Sequence, residues 1–168
     1  MWNRLRVVGG AILTVACATC PSTRVATAGG ATESEAVGAV IDGWHAAAAA
    51  SDLEGYFDRM TPDAIFLGTD ATERWGVDEF REYARAPFSE GRGWVMRSAR
   101  RDIVIRGDMA WFDEDLETVN LGPARGSGVC VRGETGPWRI AHYNLTITVP
   151  NDQFDGVRAL LTAAAPPG

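Results

Sequence analysis

The spacing of the apolar residues changes once along this chain, and that change limits the fold more than any other feature. Thr32 and Glu35 have capping-box spacing, and Val37, Val40, Ile41, Trp44 and Ala48 follow at helical intervals. The alanines from Ala46 to Ala50 continue this helix, because alanine has the highest helix propensity. Ser51-Asp52 breaks it and caps a short second helix, Leu53 to Met60. Thr61-Pro62-Asp63 reads as a turn, Ala64 to Leu67 as a short strand, and Thr69 to Gly76 as a polar loop. A helix from Val77 to Ala84 follows, ended by Pro87. After Gly93 the period becomes two. Strands are expected over Trp94–Arg106, Met109–Leu121, Gly126–Arg132 and Trp138–Val149, with a closing helix carrying Phe154, Val157, Leu160 and Leu161. Helices that precede an antiparallel meander mean α+β. The expected form is a single, strongly bent antiparallel sheet wrapped around the N-terminal helices, leaving a cone-shaped pocket.

The first 28 residues read as an address rather than as structure. Arg4 and Arg6 precede an apolar stretch from Val7 to Ala18, no acid occurs before Glu33, and Ala26-Thr27-Ala28 offers small residues for cleavage. The expectation is a signal peptide over 1–28, a flexible leader over 29–33, one domain over 34–162 and a frayed tail over 163–168. The mature chain would be secreted or periplasmic. Val15-Ala16 before Cys17 leaves a second reading, a lipoprotein anchored at Cys17, although Thr14 stands where leucine is usual. The apolar run is too short for a membrane span of about 20 residues. Cleavage removes three of the 16 basic residues and none of the 22 acidic ones, so the net charge moves from −6 to −9. A general nucleic-acid surface is excluded on charge. All 16 basic residues are arginine, so Schiff-base chemistry and a Walker-type loop are excluded too. The only histidines, His45 and His142, cannot supply a three-histidine metal site, and no metal or cofactor is expected. Cys130, between two valines, is expected to be a buried, inert thiol.

Three segments carry a family likeness: Phe66-Leu67-Gly68-Thr69-Asp70-Ala71-Thr72-Glu73-Arg74-Trp75, then Gly107-Asp108-Met109-Ala110-Trp111-Phe112, then Trp138-Arg139-Ile140-Ala141-His142-Tyr143-Asn144-Leu145. With the element order, they resemble the SnoaL-like branch of the nuclear-transport-factor-2-like superfamily over residues 34 to 162. The resemblance implies a ligand in the cone and dimerisation through the open sheet face. It leaves the reaction undefined, since isomerases, cyclases, dehydratases, hydrolases and non-catalytic modules share the fold.

Within that frame the alternation selects candidates. On the strand from Met109, one row carries Ala110, Phe112, Glu114 and Leu116. Glu114 is its lone charge, and desolvation would raise its pKa towards use as a general acid or base. The other row, Trp111, Asp113, Asp115 and Glu117, looks solvated. On the last strand, Trp138, Ile140, His142, Asn144 and Thr146 form a mixed row of the kind that lines pockets. His142 is the expected proton shuttle beside Glu114, and Asn144 a ligand hydrogen-bonder. Tyr143 takes the donor role if the faces are inverted. His45 is expected to turn away from the Val37–Ile41 stripe, with Asp42 as partner. Asp70 is placed at the pocket mouth or as a cap. Tyr56, Trp75, Trp94 and Phe112 are the expected aromatic ligand-binding residues, since aromatic walls suit a hydrophobic cyclic guest. Gly126-Ser127-Gly128 lacks the Gly-x-Ser-x-Gly elbow, so a serine hydrolase is rejected.

Three functional readings follow. The first is an exported pocket protein, a homodimer, that binds a small hydrophobic or cyclic molecule. The second is a proton-transfer enzyme using Glu114 with His142 or Tyr143. The third is a non-catalytic dimerisation module.

Overall fold

Thr32 opens the first helix as its sequence requires. Its hydroxyl accepts from the Glu35 N–H at 3.2 Å, and the Glu35 carboxylate accepts from the Thr32 N–H at 2.6 Å. The computed structural model describes residues 32–164, so the export segment, its cleavage site and Cys17 lie outside the described residues. Helix α1 (Glu33–Ala49) buries Val37, Ile41, Trp44, His45, Ala47 and Ala48. Helix α2 (Leu53–Phe57) starts at Asp52, whose side chain accepts from the Gly55 N–H at 2.9 Å. It stops three residues earlier than its sequence suggests. Met60 is drawn instead into β1 (Met60–Leu67), where it pairs with Ile140. Pro62 falls where the register of β1 shifts, between Met60 and Ile65, so its missing N–H is not asked for.

The polar loop contains a three-residue strand, β2 (Arg74–Gly76), paired to the end of β1. Helix α3 (Val77–Ser89) runs past Pro87 rather than ending before it. The proline sits in the last turn, and the N–H groups of Glu90 and Gly91 still reach the carbonyls of Ala86 and Phe88. Strands β3 (Met96–Arg106), β4 (Met109–Thr118), β5 (Ala124–Val131) and β6 (Arg139–Ile147) complete one sheet of six strands in the order β2-β1-β6-β5-β4-β3. Every neighbouring pair is antiparallel except β1 and β6, which are parallel. Irregularities in β1, β3 and between β5 and β6 bend the sheet, which is strongly curved and unclosed, around α1–α3. This is the expected α+β form. A short 3₁₀ turn (Asn151–Gln153) leads to α4 (Phe154–Ala164), where Phe154, Leu160 and Leu161 remain exposed.

One irregularity moves a whole row of side chains. The β5–β6 register shifts between Val129, which faces His142, and Cys130, which faces Ile140, so Ala141 is an extra residue. Trp138 and Ile140 are buried as expected. Beyond Ala141 the inner face passes to Tyr143 and Leu145, while His142 and Asn144 turn to the outer face. The strict alternation expected for this strand is therefore wrong past Ile140. On β4 the alternation holds: Ala110, Phe112, Glu114 and Leu116 are buried. Among the described residues, no helix is long and apolar enough to cross a membrane.

Candidate functional site

The inner face of the sheet holds one ionic side chain that is fully buried, Glu114. Three elements supply its partners. From α1, His45 Nε2 lies 2.7 Å from Oε1. From β6, the Tyr143 hydroxyl donates to the same oxygen at 2.9 Å. From β3, where Arg101 stands opposite Glu114 in register, Arg101 Nε donates to Oε2 at 2.9 Å. The Arg101 guanidinium also reaches Asp42 on α1, with Nη2 2.8 Å from Oδ1. Both carboxylate oxygens are thus engaged, and the cluster ties α1 to the sheet. Gly126 on β5 makes room for it. A Cβ there would stand 2.7 Å from Tyr143 Cζ and 3.0 Å from Glu114 Oε1.

Electrostatics decide what Glu114 can do. Burial alone pushes its carboxyl up, but the hydrogen bond and charge of His45 and the charge of Arg101 outweigh burial and hold it at about 2. The expectation of a carboxyl titrating near neutrality is corrected here: the partners, not the desolvation, set the balance. A carboxylate held ionised this way, and already accepting on both oxygens, has no proton to give and is a poor base. Burial, and then the Glu114 charge, raises the Tyr143 hydroxyl well above the ordinary tyrosine range, so it stays a donor. Burial likewise pushes the Cys130 thiol up to about 12, which leaves it inert.

A separate cavity of about 340 Å³ opens at the end of the sheet where β1, β4 and β6 finish. Its volume suits a small organic molecule. Aromatic rings from three elements form its walls: Phe66 of β1, Trp75 of β2, Phe80 and Tyr83 of α3, with Trp94 before β3. Their planes are aligned. Phe80 lies within 9° of parallel to Trp75 and within 2° of parallel to Trp94. Leu121 and Leu145 add apolar surface, and Glu73, Thr69, Thr118 and Asn120 supply the polar groups.

Of the aromatic ligand-binding residues expected from sequence, Trp75 and Trp94 line this cavity. Tyr56 and Phe112 are buried and do not line it; Tyr56 packs edge-on to Trp94 at 5.8 Å, and the Phe112 ring lies 6.0 Å from that of Tyr143. Asp70 is exposed and bonds the Thr72 N–H and hydroxyl, at 2.8 and 2.5 Å, fixing the β1–β2 loop. Gly76, not Asp70, stands at the start of α3. The pairing of Glu114 with His142 does not form, because the extra residue Ala141 puts them on opposite faces, and Asn144 leaves with His142. His45 is the opposite correction: expected outside, it is buried against Glu114. It sits eight residues after Val37 and four after Ile41, on the same helical stripe, which is the signal that could have placed it. Among the described residues, no group of three His, Cys, Asp or Glu side chains is placed to hold a metal.

A strongly curved, unclosed sheet filled by helices, with a cavity at its open end, defines the nuclear-transport-factor-2-like class. The sequence model of the SnoaL-like domain matches residues 37–150, and the chain belongs to that family. No curated protein matches it in sequence. In fold it is similar to an uncharacterized cystatin-like-fold protein from Caulobacter vibrioides, with a TM-score of 0.60 and 18% identity over 76% of this chain and 97% of that one. It is similar to an NTF2-like protein of unknown function from Pseudomonas putida KT2440, with a TM-score of 0.58 and 16% identity over 72% and 89%. It is also similar to a candidate ketosteroid isomerase from Shewanella frigidimarina NCIMB 400, with a TM-score of 0.54 and 16% identity over 66% and 94%. These likenesses concern the fold.

Proposed function

We propose that this protein is an exported binding protein that holds a flat hydrophobic molecule in the aromatic cavity without turning it over. The observation that carries the reading is the separation of the aromatic cavity from the buried polar cluster. The cavity is walled mainly by rings, and the carboxylate that a proton-transfer reaction would need is held ionised, away from that cavity, by His45, Tyr143 and Arg101. A guest there gains from apolar burial and ring stacking, not from acid–base chemistry. The neutral bicyclic probe 2-naphthylmethanol should quench tryptophan fluorescence saturably at one site per chain. Trp94→Ala should weaken it about tenfold, the scale of a lost aromatic wall. Absence of saturable binding would overturn the reading.

The second reading, a proton-transfer enzyme, is favoured by the Tyr143 hydroxyl held on Glu114 and by the name of the Shewanella frigidimarina neighbour. It requires Tyr143 or His45 to act on a guest that penetrates past Leu145.

Export and pairing belong to the first reading. The outer sheet face carries Val104, Trp111 and Val129 in register across three strands, and Trp111 is 43% exposed. A second copy covering that stripe would form a two-fold dimer. Native mass spectrometry of exported protein should show a dimer of chains that begin at Gly29. A chain retaining Met1, or a monomer at micromolar concentration, would contradict the respective claim, and a lipid on Cys17 would establish the anchored form.

A further inference from the structure

Among the described residues, the cavity walls include one ionic side chain, Glu73, and no arginine. Glu73 is half-buried and fixed in place. Its Oε2 accepts from the Asp70 N–H at 3.1 Å, and its side chain packs on Gly68, where an added Cβ would stand 2.9 Å from Glu73 Cβ. Arg74, between Glu73 and Trp75 on β2, is exposed and does not line the cavity, and Arg92 belongs to an adjoining open lobe and is ion-paired with Glu90. Arg97 follows Met96 on the outward side of β3 and faces Glu117, with Nη1 3.9 Å from Oε2. A carboxylate beside Trp75, Tyr83 and Trp94 is a chemical preference. Ring faces attract a cation, the carboxylate completes the charge pair, and a carboxylate or phosphate guest would be repelled by Glu73.

From this arrangement we infer that the cavity selects flat organic cations, with a protonated amine or quaternary ammonium at Glu73 and the ring system against Trp75, Tyr83 and Trp94. The inference rests on the binding function proposed above and names its ligand class. The net charge of −6 works in the same direction, since an acidic surface draws cations and turns anions away. The aligned planes of Phe80, Trp75 and Trp94 set the shape, because a flat guest is the one that extends such a stack.

Three probes with one bicyclic ring and different charge separate the possibilities: 2-naphthylmethyl-trimethylammonium, 2-naphthylmethanol and 2-naphthoate, each titrated by calorimetry at pH 7. The cation should bind about tenfold tighter than the alcohol, the scale of a desolvated cation–ring contact, and the naphthoate weakest of the three. Glu73→Gln keeps an oxygen for the Asp70 N–H while removing the charge. It should lower the affinity for the cation about tenfold and leave that for the alcohol within twofold. Glu134→Gln, in the exposed β5–β6 turn and outside the cavity lining, should change neither. If the alcohol binds and the cation binds no better, or if Glu73→Gln leaves the cation's advantage intact, the charge selection is wrong and the binding function stands. If none of the three binds, both fall.

Discussion

Replacing Glu114 by glutamine is expected to remove about 3–5 kcal/mol of folding stability, the range for breaking a buried ion pair from one side. The change keeps the shape and takes away the charge. Arg101, itself mostly buried, would then face only the exposed Asp42 and the Gly38 carbonyl, 3.4 Å away. His45 and Tyr143 would lose a charged acceptor, and such hydrogen bonds contribute more than neutral ones. Thermal unfolding should fall by roughly 10 °C, given how stability converts to Tm at this size. Asp113→Asn, on the outer face of the same strand, should stay within about 0.5 kcal/mol. A Glu114→Gln loss below about 1 kcal/mol would mean that the cluster does not bind α1 to the sheet.

The same carboxylate makes stability depend on acid. Its folded pKa of about 2 lies below the ordinary value of 4.5. A depressed carboxyl contributes in full above its unfolded value and loses that contribution as pH falls through its folded value. The wild-type contribution should therefore be complete above pH 4.5 and drain away towards pH 2. Urea titrations over that window should show the gap between wild type and Glu114→Gln closing as the pH drops. A gap that is constant with pH would separate the stability effect from the charge.

Much of this arrangement was legible in the residues, and what was not has identifiable causes. The four meander strands, the capped first helix and the buried row of β4 follow from periodicity, because each depends on one element's own pattern. Glu114 stood out as the lone charge on an apolar row. Its partners did not, because they come from three other elements, and partner choice is decided by packing. Arg101 shares nothing with Glu114 in sequence and meets it only through the β3–β4 register. His45 is readable from its stripe, eight residues after Val37 and four after Ile41, and the expectation that it turns away misplaces it on the helical wheel. The inner face of β6 was not readable, since one extra residue at Ala141 inverts every later position and leaves the alternation looking regular. The cavity depends on rings spread over residues 66–94, so composition announced aromatic walls without saying which rings share one.

Gly126→Ala should be among the most damaging single-methyl changes in the chain. Gly126 faces Glu114 across the β4–β5 ladder and Leu145 across the β5–β6 ladder. Its backbone is not in the left-handed region, so the demand for glycine is one of space. The added Cβ would fall 2.7 Å from Tyr143 Cζ, closer still to the hydroxyl, and 3.0 Å from Glu114 Oε1. Tyr143 cannot simply slide. Its ring is held against Trp44, with centroids 4.6 Å apart, and Phe66, with centroids 5.8 Å apart. Relief therefore requires the hydroxyl to leave Glu114. Overpacking costs about 1–3 kcal/mol and a lost hydrogen bond to a charged group about 1.5–3 kcal/mol, so a total near 4 kcal/mol is expected. Gly133→Ala, where an added Cβ meets nothing within 4 Å, is the matched control and should be close to neutral. Combining Gly126→Ala with Tyr143→Leu removes the obstructing hydroxyl and ring, so the double variant should be more stable than the sum of the single losses implies, by at least about 1 kcal/mol. Strict additivity would show that the methyl does not act through Tyr143.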